Sequence, residues 1–533
     1  MDKRYRSDFV STIVPVLTPT SVSTSVSIPT PVSMRIYEDL LSGLNPEQLT
    51  AVTARNSGSL LVLAGAGCGK TSVLTRRIAY LVRQGVPPGR ICALTFSRKA
   101  AEEMAHRLLK LDTACGGKNT PLVTTFHAFA LRVLRERYKG RCNFNRIGFN
   151  DDNILLLDGK RRFELIAQAS TPAVRRALGM GIIELSSALE LLLSFPEKAS
   201  KRWSDEEFSL LAKIEHEFFN LRKARGLWDF ADLICGGLEL FSKYPDIADD
   251  WGGRFDAVLV DEFQDTNPMQ IDILGVLLRF GASLYAVGDD DQAIYGFRGA
   301  DIRPIRSFTT RFRDAAIVKL QINYRSVTAI LECANRLWAG KPAEYRKTLI
   351  SGLKPQPSGC RKPKTMRFGT QAQALEWILG RARFIERREK IPIGSMAVLF
   401  RINDTLTAVA NHYKNMGLTD DKIPQLLTVH ASKGLEYPVV FLYDLEEGLF
   451  PHYRLRKEKR VHTWLEFLKA IVKSKSELDI DEARDCDIEE ELRLFYVGVT
   501  RAQRYLFFVT ASNKPFYGKE MAFRPSRFLR LVR

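Results

Sequence analysis

The sequence predicts an α/β fold in which parallel sheets surround a nucleoside triphosphate site, with a mainly helical insertion in the first half. Three observations carry that reading. The stretch LLVLAGAGCGKTSVLTRRIAYL, Leu60 to Leu81, joins an apolar run of strand type to a glycine-rich turn, then to apolar residues at helical spacing (Val73, Leu74, Ile78, Leu81, Val82). Further apolar runs end in polar residues and pass into helical patterns at Ile91–Leu108, Val123–Leu134 and Ala257–Leu274. The length of 533 residues exceeds what one core can serve and points to about two to four domains.

The turn of the first stretch sets its chemistry. Ala64, Gly65, Ala66, Gly67, Cys68 and Gly69 form a loop whose backbone N–H groups can converge on phosphate oxygens, helped by the N-terminus of the following helix. Lys70 then reaches the β- and γ-phosphates, and the Thr71 hydroxyl holds Mg²⁺. Ala64 departs from the general pattern, which has Gly at that position.

Composition narrows the class. A hydrophobic content of 45% and a mean hydropathy of -0.14 are those of a soluble globular protein, and no apolar run is long enough to span a bilayer; a cytoplasmic location and no membrane partner are expected. A net charge of +18 and a pI near 9.5 favour a polyanionic partner, nucleic acid first and an anionic membrane second. The eight cysteines (68, 92, 115, 142, 235, 333, 360 and 486) include no C-x-x-C pair, so they read as reduced thiols and not as a zinc site or disulfide framework.

Along the chain, residues 1–33 are rich in Ser, Thr, Pro and Val without period, the composition of a disordered tail. Lys3, Arg4 and Arg6 before apolar residues resemble a signal peptide, but Ser, Thr and Pro break each apolar run. Met34 just before the first amphipathic segment marks the expected working start. In LNPEQLTAV, Asn45 suits a helix N-cap, Pro46 the first helical position, and Gln48 is available to read an adenine edge. Two strand ends carry Thr95, Phe96 and Ser97, and Thr125, Phe126 and His127, where an α/β sheet presents its loops. Residues 140–228 are mostly helical in period, and Trp228-Asp229-Phe230 opens another helix.

The run AVLVDEFQD places Asp261 and Glu262 at the end of a buried strand. Carboxylates there are costly unless they hold a metal or activate water. Asp261 is expected to coordinate Mg²⁺ and Glu262 to polarise the attacking water. After the strand SLYAVG, Gln292 is placed to sense the γ-phosphate. Tyr295, Phe297 and Arg298 form an aromatic–basic cluster suited to stacking on bases, worth about 1–3 kcal/mol per base.

Together these motifs resemble the UvrD/Rep type of superfamily 1 DNA helicase, with matches from Leu44 to Leu529. LNPEQLTAV resembles the Q motif, AGAGCGKT motif I, TFSRKAAEEM motif Ia, TFH motif Ib, VDEFQDTNPMQ motif II and VGDDDQAIYGFRGAD motif III. INYRS (322–326) resembles motif IV, LLTVHASKGLEYPVVFL (426–442) motif V, EEELRLFYVGVTRAQ (489–503) motif VI, and PSRFL (525–529) the closing helix. Ala64 is normal in this family. The resemblance implies two RecA-like P-loop NTPase domains that clamp ATP and move 3′→5′ along single-stranded DNA. It makes Lys70, Asp261, Glu262, Gln292, Arg325 and Arg501 the catalytic set. Tyr324 would stack on adenine and Glu436 would hold the ribose. Thr95, Phe96, Arg98, Thr125, Phe126, His127, Tyr295, Phe297, Arg298 and His430 would meet DNA.

The implied domain plan is a tail, 1–33; RecA-like domain 1A, 34–139 and 229–305; helical insertion 1B, 140–228; and RecA-like domain 2A, 306–533. Two departures individualise the chain. Arg98 stands where motif Ia usually has Asn, adding a phosphate contact. Between Ser326 and Leu426 the sequence already contains strands and a helix of 2A, KTMRFGT, ALEWILGRARFIERRE and SMAVLFRI, so domain 2B is expected to be missing or vestigial near 406–426. A basic and amphipathic insert occupies 453–488: RLRKEKR, then a helical face of Trp464, Leu465, Leu468, Ile471 and Val472. It reads as a local helix packed on 2A, with a DNA- or partner-docking element as the sharper option.

The expected activity is ATP- and Mg²⁺-dependent translocation on single-stranded DNA with 3′–5′ unwinding of tailed duplex. The alternative is an ATP-gated subunit that senses DNA ends for a partner nuclease or repair factor, as in repair or phage-defence complexes. No nuclease motif follows motif VI, and motifs Ia, III and V argue against an ATPase unrelated to nucleic acid.

Overall fold

The computed structural model describes residues 37–111, 120–137, 155–194, 203–296, 300–340, 345–353, 362–452, 454–455, 484–485, 488–516 and 519–532. The expected tail 1–33 and most of the insert 453–488 lie outside these residues; within the insert, Arg454–Leu455 pairs antiparallel with Arg484–Asp485. Two compact units are present. Of the described residues, the first takes in those up to Leu63, Lys70–Gly288 and Tyr295–Val318, and the second takes in those of Ala64–Gly69, Asp289–Ile294 and from Lys319 onward.

The first unit's sheet contains β1 (Ser59–Ala64), β2 (Ile91–Thr95), β3 (Leu122–Thr125), β4 (Ala257–Val260), β5 (Ser283–Gly288) and β6 (Ala315–Leu320), in the order β3-β2-β4-β5-β1-β6. The pairings β1 with β5, β2 with β3 and β4, and β4 with β5 are parallel. Strands β2, β4 and β5 are buried along their whole length, which is why they read as continuous apolar runs and not as alternation. A capped helix, α1 (Pro46–Thr53), precedes β1, and helices supply the crossovers that parallel pairing needs: α2 (Lys70–Arg83), α3 (Arg98–Leu111) and α4 (Phe126–Arg137). The Asn45 side chain caps α1 by accepting from Gln48 N, and Gln48 Oε1 accepts from Asn45 N in return.

Between β3 and β4 the described chain contains α5 (Gly159–Ala169), α6 (Pro172–Leu178), α7 (Ile182–Ser194) and α8 (Asp205–Ala224), packed around Leu165, Ile166, Leu189, Leu211, Ile214 and Phe218. Then come α9 (Phe230–Lys243), α10 (Pro245–Gly252) and, after β4, α11 (Pro268–Leu277). The buried Arg222 binds Asp232 on α9, and Arg162 on α5 binds Asp229, the residue that caps α9.

The second unit's sheet contains β7 (Lys364–Thr370), β8 (Ala397–Phe400), β9 (Gln425–Thr428), β10 (Tyr437–Leu442) and β11 (Ala502–Phe516), in the order β7-β11-β10-β8-β9 with every pairing parallel; β12 (Lys519–Ala522) folds back antiparallel on β11. Its helices include α12 (Thr328–Arg336), α13 (Gln371–Glu389), α14 (Asn403–Asn415) and α15 (Ile488–Val499). Leu375, Ile378, Ala382 and Ile385 of α13 pack on Val398, Phe400, Phe441 and Phe507. Residues 406–426 hold most of α14, a short 3₁₀ turn and the start of β9.

The division between units differs from the expected one at 305/306. Strand β6 belongs to the first sheet beside β1, and the first unit runs to Val318. The apolar run of β6 carries no mark of which sheet it joins; pairing partners decide it.

One buried ion cluster ties the second sheet to its following loop. Lys514 Nζ on β11 lies 3.2 Å from Asp444 Oδ1, 2.6 Å from Glu446 Oε2, and 3.9 Å from the centre of the Tyr443 ring. Glu446 also accepts from Ala511 N at 2.6 Å. Lys514→Met leaves two buried carboxylates without their cation. It is expected to destabilise the protein by about 3–5 kcal/mol, read as a lowered denaturation midpoint.

Candidate functional site

The loop between β1 and α2 has the backbone its sequence requires. Gly67 (φ 68°) and Gly69 (φ 84°) are left-handed, a region that side chains disfavour. Space reinforces the choice at Gly65 and Gly67. A Cβ at Gly65 would sit 2.2 Å from Leu349 Cδ2, and one at Gly67 would sit 2.7 Å from Asn323 Nδ2 and 2.8 Å from Arg325 Cβ. Within the second unit, Gly65 N donates to Leu320 O (3.1 Å), Asn323 Nδ2 to Ala66 O (2.6 Å) and Tyr324 N to Gly67 O (3.0 Å). Cys68 is buried, with its thiol 3.6 Å from Ala66 O. It fills space in the loop.

In the first unit, α2 begins at Lys70, with Thr71 in its first turn. Asp261 follows β4 and continues its pairing, donating its N–H to Leu94 O (2.9 Å). Burial pushes the Asp261 carboxyl well above the usual range, the Glu262 charge pushes it further, and the Lys70 ammonium pulls it back. Glu262 is itself left-handed (φ 49°), costing on the order of 1–2 kcal/mol; its N–H donates to Asp261 Oδ1 at 3.0 Å. An ammonium, a hydroxyl at a helix start and a buried carboxylate whose charge burial disfavours and a cation would stabilise make a donor set that fits a triphosphate with a divalent cation. Thr71 and Asp261 are the residues that would hold Mg²⁺.

Sequence reasoning missed the buried Gln264, whose Nε2 donates to Glu262 Oε2. A Cβ at Gly288 would come within 2.8 Å of Gln264 Oε1, so this amide is closely fitted. An amide two residues after a strand-end carboxylate was the available signal.

In the second unit, the segment after β5 carries Gln292. Its Nε2 donates to Asp289 Oδ2 (2.5 Å), and its Oε1 accepts from Arg501 Nη2 (3.3 Å). Arg501 is 1% exposed and also donates to Val497 O and Leu435 O, each at 3.0 Å. Arg325 Nε donates to Glu436 Oε2 (2.6 Å), and Glu436 Oε1 accepts from Gln503 Nε2 (2.9 Å). The structure thus joins Gln292 with Arg501, and Arg325 with Glu436, while the Tyr324 ring is exposed. Three further cations missed from the sequence hold the same segment. Lys433 Nζ donates to Gln292 O (3.0 Å), Arg493 Nε to Ala293 O (2.8 Å), and Lys347 lies among Asp289, Asp290 and Asp291. Lys433 and Arg493 stand inside motif-bearing stretches, but Lys347 has no local mark.

Gln48 is buried in the first unit, with its carbonyl oxygen committed to the helix cap. The expected nucleic-acid residues divide. Phe96 is exposed and stacks on Tyr295, with centroids 5.2 Å apart and an interplanar angle of 11°. Arg98 is exposed and pairs with Glu102 across one turn (2.8 Å). His127 is half-buried with its pKa lowered by burial, and it meets the exposed Phe230 edge-on at 5.6 Å. His430 is half-buried in the turn after β9. Thr95 and Phe126 correct the expectation: both face the core. Thr95 ends β2 with its hydroxyl donating to Ser97 O (3.0 Å), and Phe126 starts α4 on that helix's apolar side. Thr125 Oγ1 accepts from Ala128 N (3.2 Å), so it serves the start of α4. Phe297 and Arg298 lie outside the described residues.

Comparison with known proteins points the same way. Residues 44–313 match the family model described as UvrD/REP helicase N-terminal domain, and residues 404–513 match that described as UvrD-like helicase C-terminal domain. A probable DNA helicase of Mycoplasma pneumoniae is 31% identical over 503 residues, covering 92% of this chain and 87% of that protein. The ATP-dependent DNA helicase PcrA of Staphylococcus epidermidis is 25% identical over 667 residues, with the same coverages. PcrA of Staphylococcus aureus is 25% identical over 668 residues, covering 92% and 86%.

Gly67→Ala tests the loop. Its methyl group has to displace Asn323 or Arg325 while holding a left-handed φ. Affinity for a fluorescent ATP analogue is expected to fall about tenfold or more, from a strain of roughly 1–2 kcal/mol plus the contact. The Gly43→Ala variant, also left-handed but in open space, is expected to leave that affinity unchanged.

Proposed function

This chain belongs to the UvrD/REP helicase family, and we propose that it couples Mg²⁺-dependent ATP hydrolysis to 3′→5′ movement along single-stranded DNA, separating tailed duplex as it goes. It is an ATP-dependent DNA helicase. Direction of travel and residue roles are the proposal.

The observation that carries the proposal is the hydrogen bond from Arg501 to Gln292. Motif VI supplies the arginine and motif III the glutamine, and each is the other's partner in this structure. Gln292 presents its carbonyl to Arg501 because its NH₂ is committed to Asp289. Arg501 keeps Nε and Nη1 on main-chain carbonyls, so Nη2 is the donor that changes partner when a γ-phosphate arrives. Hydrolysis is then gated by that exchange and coupled to closure of the two RecA-like domains.

The remaining roles follow from chemistry. Lys70 neutralises β- and γ-phosphate charge, and the loop Ala64–Gly69 offers N–H groups. Glu262, oriented by Gln264, accepts a proton from the attacking water. Arg325, held by Glu436, reaches the γ-phosphate; Glu436 meets the ribose, Tyr324 stacks on adenine, and Gln48 reads its edge. Mg²⁺, held by Thr71 and Asp261, supplies charge neutralisation on the triphosphate. On the DNA side, Phe96 and Tyr295 offer an aromatic platform, and Arg98, Thr125, His127 and His430 provide polar contacts. The elements at 406–426 belong to the second sheet's connections, which supports the reading that domain 2B is missing or vestigial there and that translocation lacks the control that domain exerts in the family. Among the described residues, no helix is long and apolar enough to cross a membrane.

Arg501→Ala is expected to retain binding of a fluorescent ATP analogue within about threefold, while DNA-stimulated kcat falls by roughly 10³ or more. Equal loss of binding and turnover counts against the role. The purified chain with Mg²⁺-ATP is expected to separate a 3′-tailed duplex and to leave a 5′-tailed one intact. Hydrolysis on single strands with no separation of either would favour a DNA-sensing subunit of a nuclease or repair complex instead.

A further inference from the structure

The segment after β5 places three carboxylates, Asp289, Asp290 and Asp291, in the interior of the second unit, all within 4.8 Å of one another. Such a group repels itself unless a cation sits among its members. Lys347 is that cation. Its Nζ lies 2.9 Å from Asp289 Oδ1, 2.6 Å from Asp290 Oδ1 and 2.9 Å from Asp291 Oδ2, with its side chain 1% exposed. Burial alone would lower the lysine pKa, but the three carboxylates together hold it well above its ordinary value.

Asp289 links this cluster to the reaction. Its Oδ1 faces Lys347 while its Oδ2 accepts from Gln292 Nε2 at 2.5 Å. An ionised carboxylate only accepts, so it dictates which end of the amide faces it. The Gln292 carbonyl is thereby turned to Arg501 Nη2. Lys347 itself is anchored. Leu349 N donates to Asn335 Oδ1 (2.8 Å) on α12, Asn335 Nδ2 donates to Leu349 O (3.0 Å), and Thr348 N donates to Gln321 Oε1 (3.0 Å). Leu349, two residues on, is the side chain that a Cβ at Gly65 would strike. One short segment of the second unit therefore braces both the acidic cluster and the phosphate loop.

We propose that Lys347 is a positioning residue for ATP hydrolysis: by keeping Asp289 ionised and in place, it fixes the orientation of Gln292 toward Arg501. The proposal rests on the reading that Gln292 and Arg501 act on the γ-phosphate. Lys347 touches no reacting atom, so its loss acts on kcat and spares nucleotide binding.

The test uses the full chain with single-stranded DNA and Mg²⁺-ATP. Lys347→Met is expected to lower DNA-stimulated kcat about tenfold or more, with KM for ATP and affinity for a fluorescent ATP analogue within about threefold. Lys347→Arg, which restores the charge, is expected to recover several-fold of the lost rate. A kcat within twofold of the parent overturns the proposal, and so does a parallel loss of kcat and nucleotide affinity, the mark of a purely structural role. If Lys347→Met does not fold, Asp290→Asn takes its place. Asp290 meets Lys347 at 2.6 Å, whereas the Gln292 amide donates to Asp289, so a lowered kcat at unchanged KM supports the proposal and an unchanged kcat overturns it. Gln292→Ala and Arg501→Ala run in parallel. If both keep full hydrolysis, the underlying reading fails and this one falls with it; if they lose hydrolysis while Lys347→Met does not, the positioning role alone is rejected.

Discussion

Charge delivered into a closed interior is the constraint on which the site depends. Strands β4 and β5 are buried along their whole length, and each runs into carboxylates, Asp261 and Glu262 after the one, Asp289 to Asp291 after the other. Taking a carboxylate out of water costs several kcal/mol unless a cation or donors stand within reach. The two strand ends meet this demand differently. Asp261 keeps a raised pKa because Lys70 offsets burial and the neighbouring Glu262 only in part. The three aspartates after β5 enclose a lysine of their own. A carboxylate left short of positive charge is a place for a divalent cation, whereas one already matched serves as scaffolding.

A second regularity links the same two places. At each strand end a buried glutamine donates to an acidic side chain, Gln264 to Glu262 and Gln292 to Asp289. Because a carboxylate accepts and never donates when ionised, each pair fixes an orientation: the carboxylate of Glu262 in one, the carbonyl of Gln292 in the other. In the proposed reaction these pairs fix the placement of the groups that act on water and on the terminal phosphate, the condition under which electrostatic catalysis needs little further reorganisation.

Much of this was legible along the chain. The glycine pattern of the loop announced a tight turn between strand and helix, and that turn is present, with Gly67 and Gly69 in the left-handed region. Asn45, Pro46 and Gln48 announced a capped helix start, and the reciprocal cap is present. The apolar run before Asp261 announced a buried strand and SLYAVG a further strand, and both are present and buried along their whole length. Contacts beyond one element were not legible. Thr95 and Phe126 sit beside accessible neighbours, yet they turn to the core, because whether a side chain at a strand end or helix start points inward depends on what packs above it.

The sequence by itself determined the local chemistry: which backbone can wrap a phosphate, which strand ends carry carboxylates, and which arginines belong to motif-bearing stretches. Those properties arise from residues adjacent in the chain, where φ preference, period and capping act over a few positions. Tertiary structure decided the partners. That Lys347 enters the midst of Asp289–Asp291, that Arg501 meets Gln292, that Gln48 commits its carbonyl to a cap and that β6 joins the first sheet are facts of folding. The reason is physical: a buried charge must find its counter-charge in three dimensions, and sequence separation places no bound on where that partner lies.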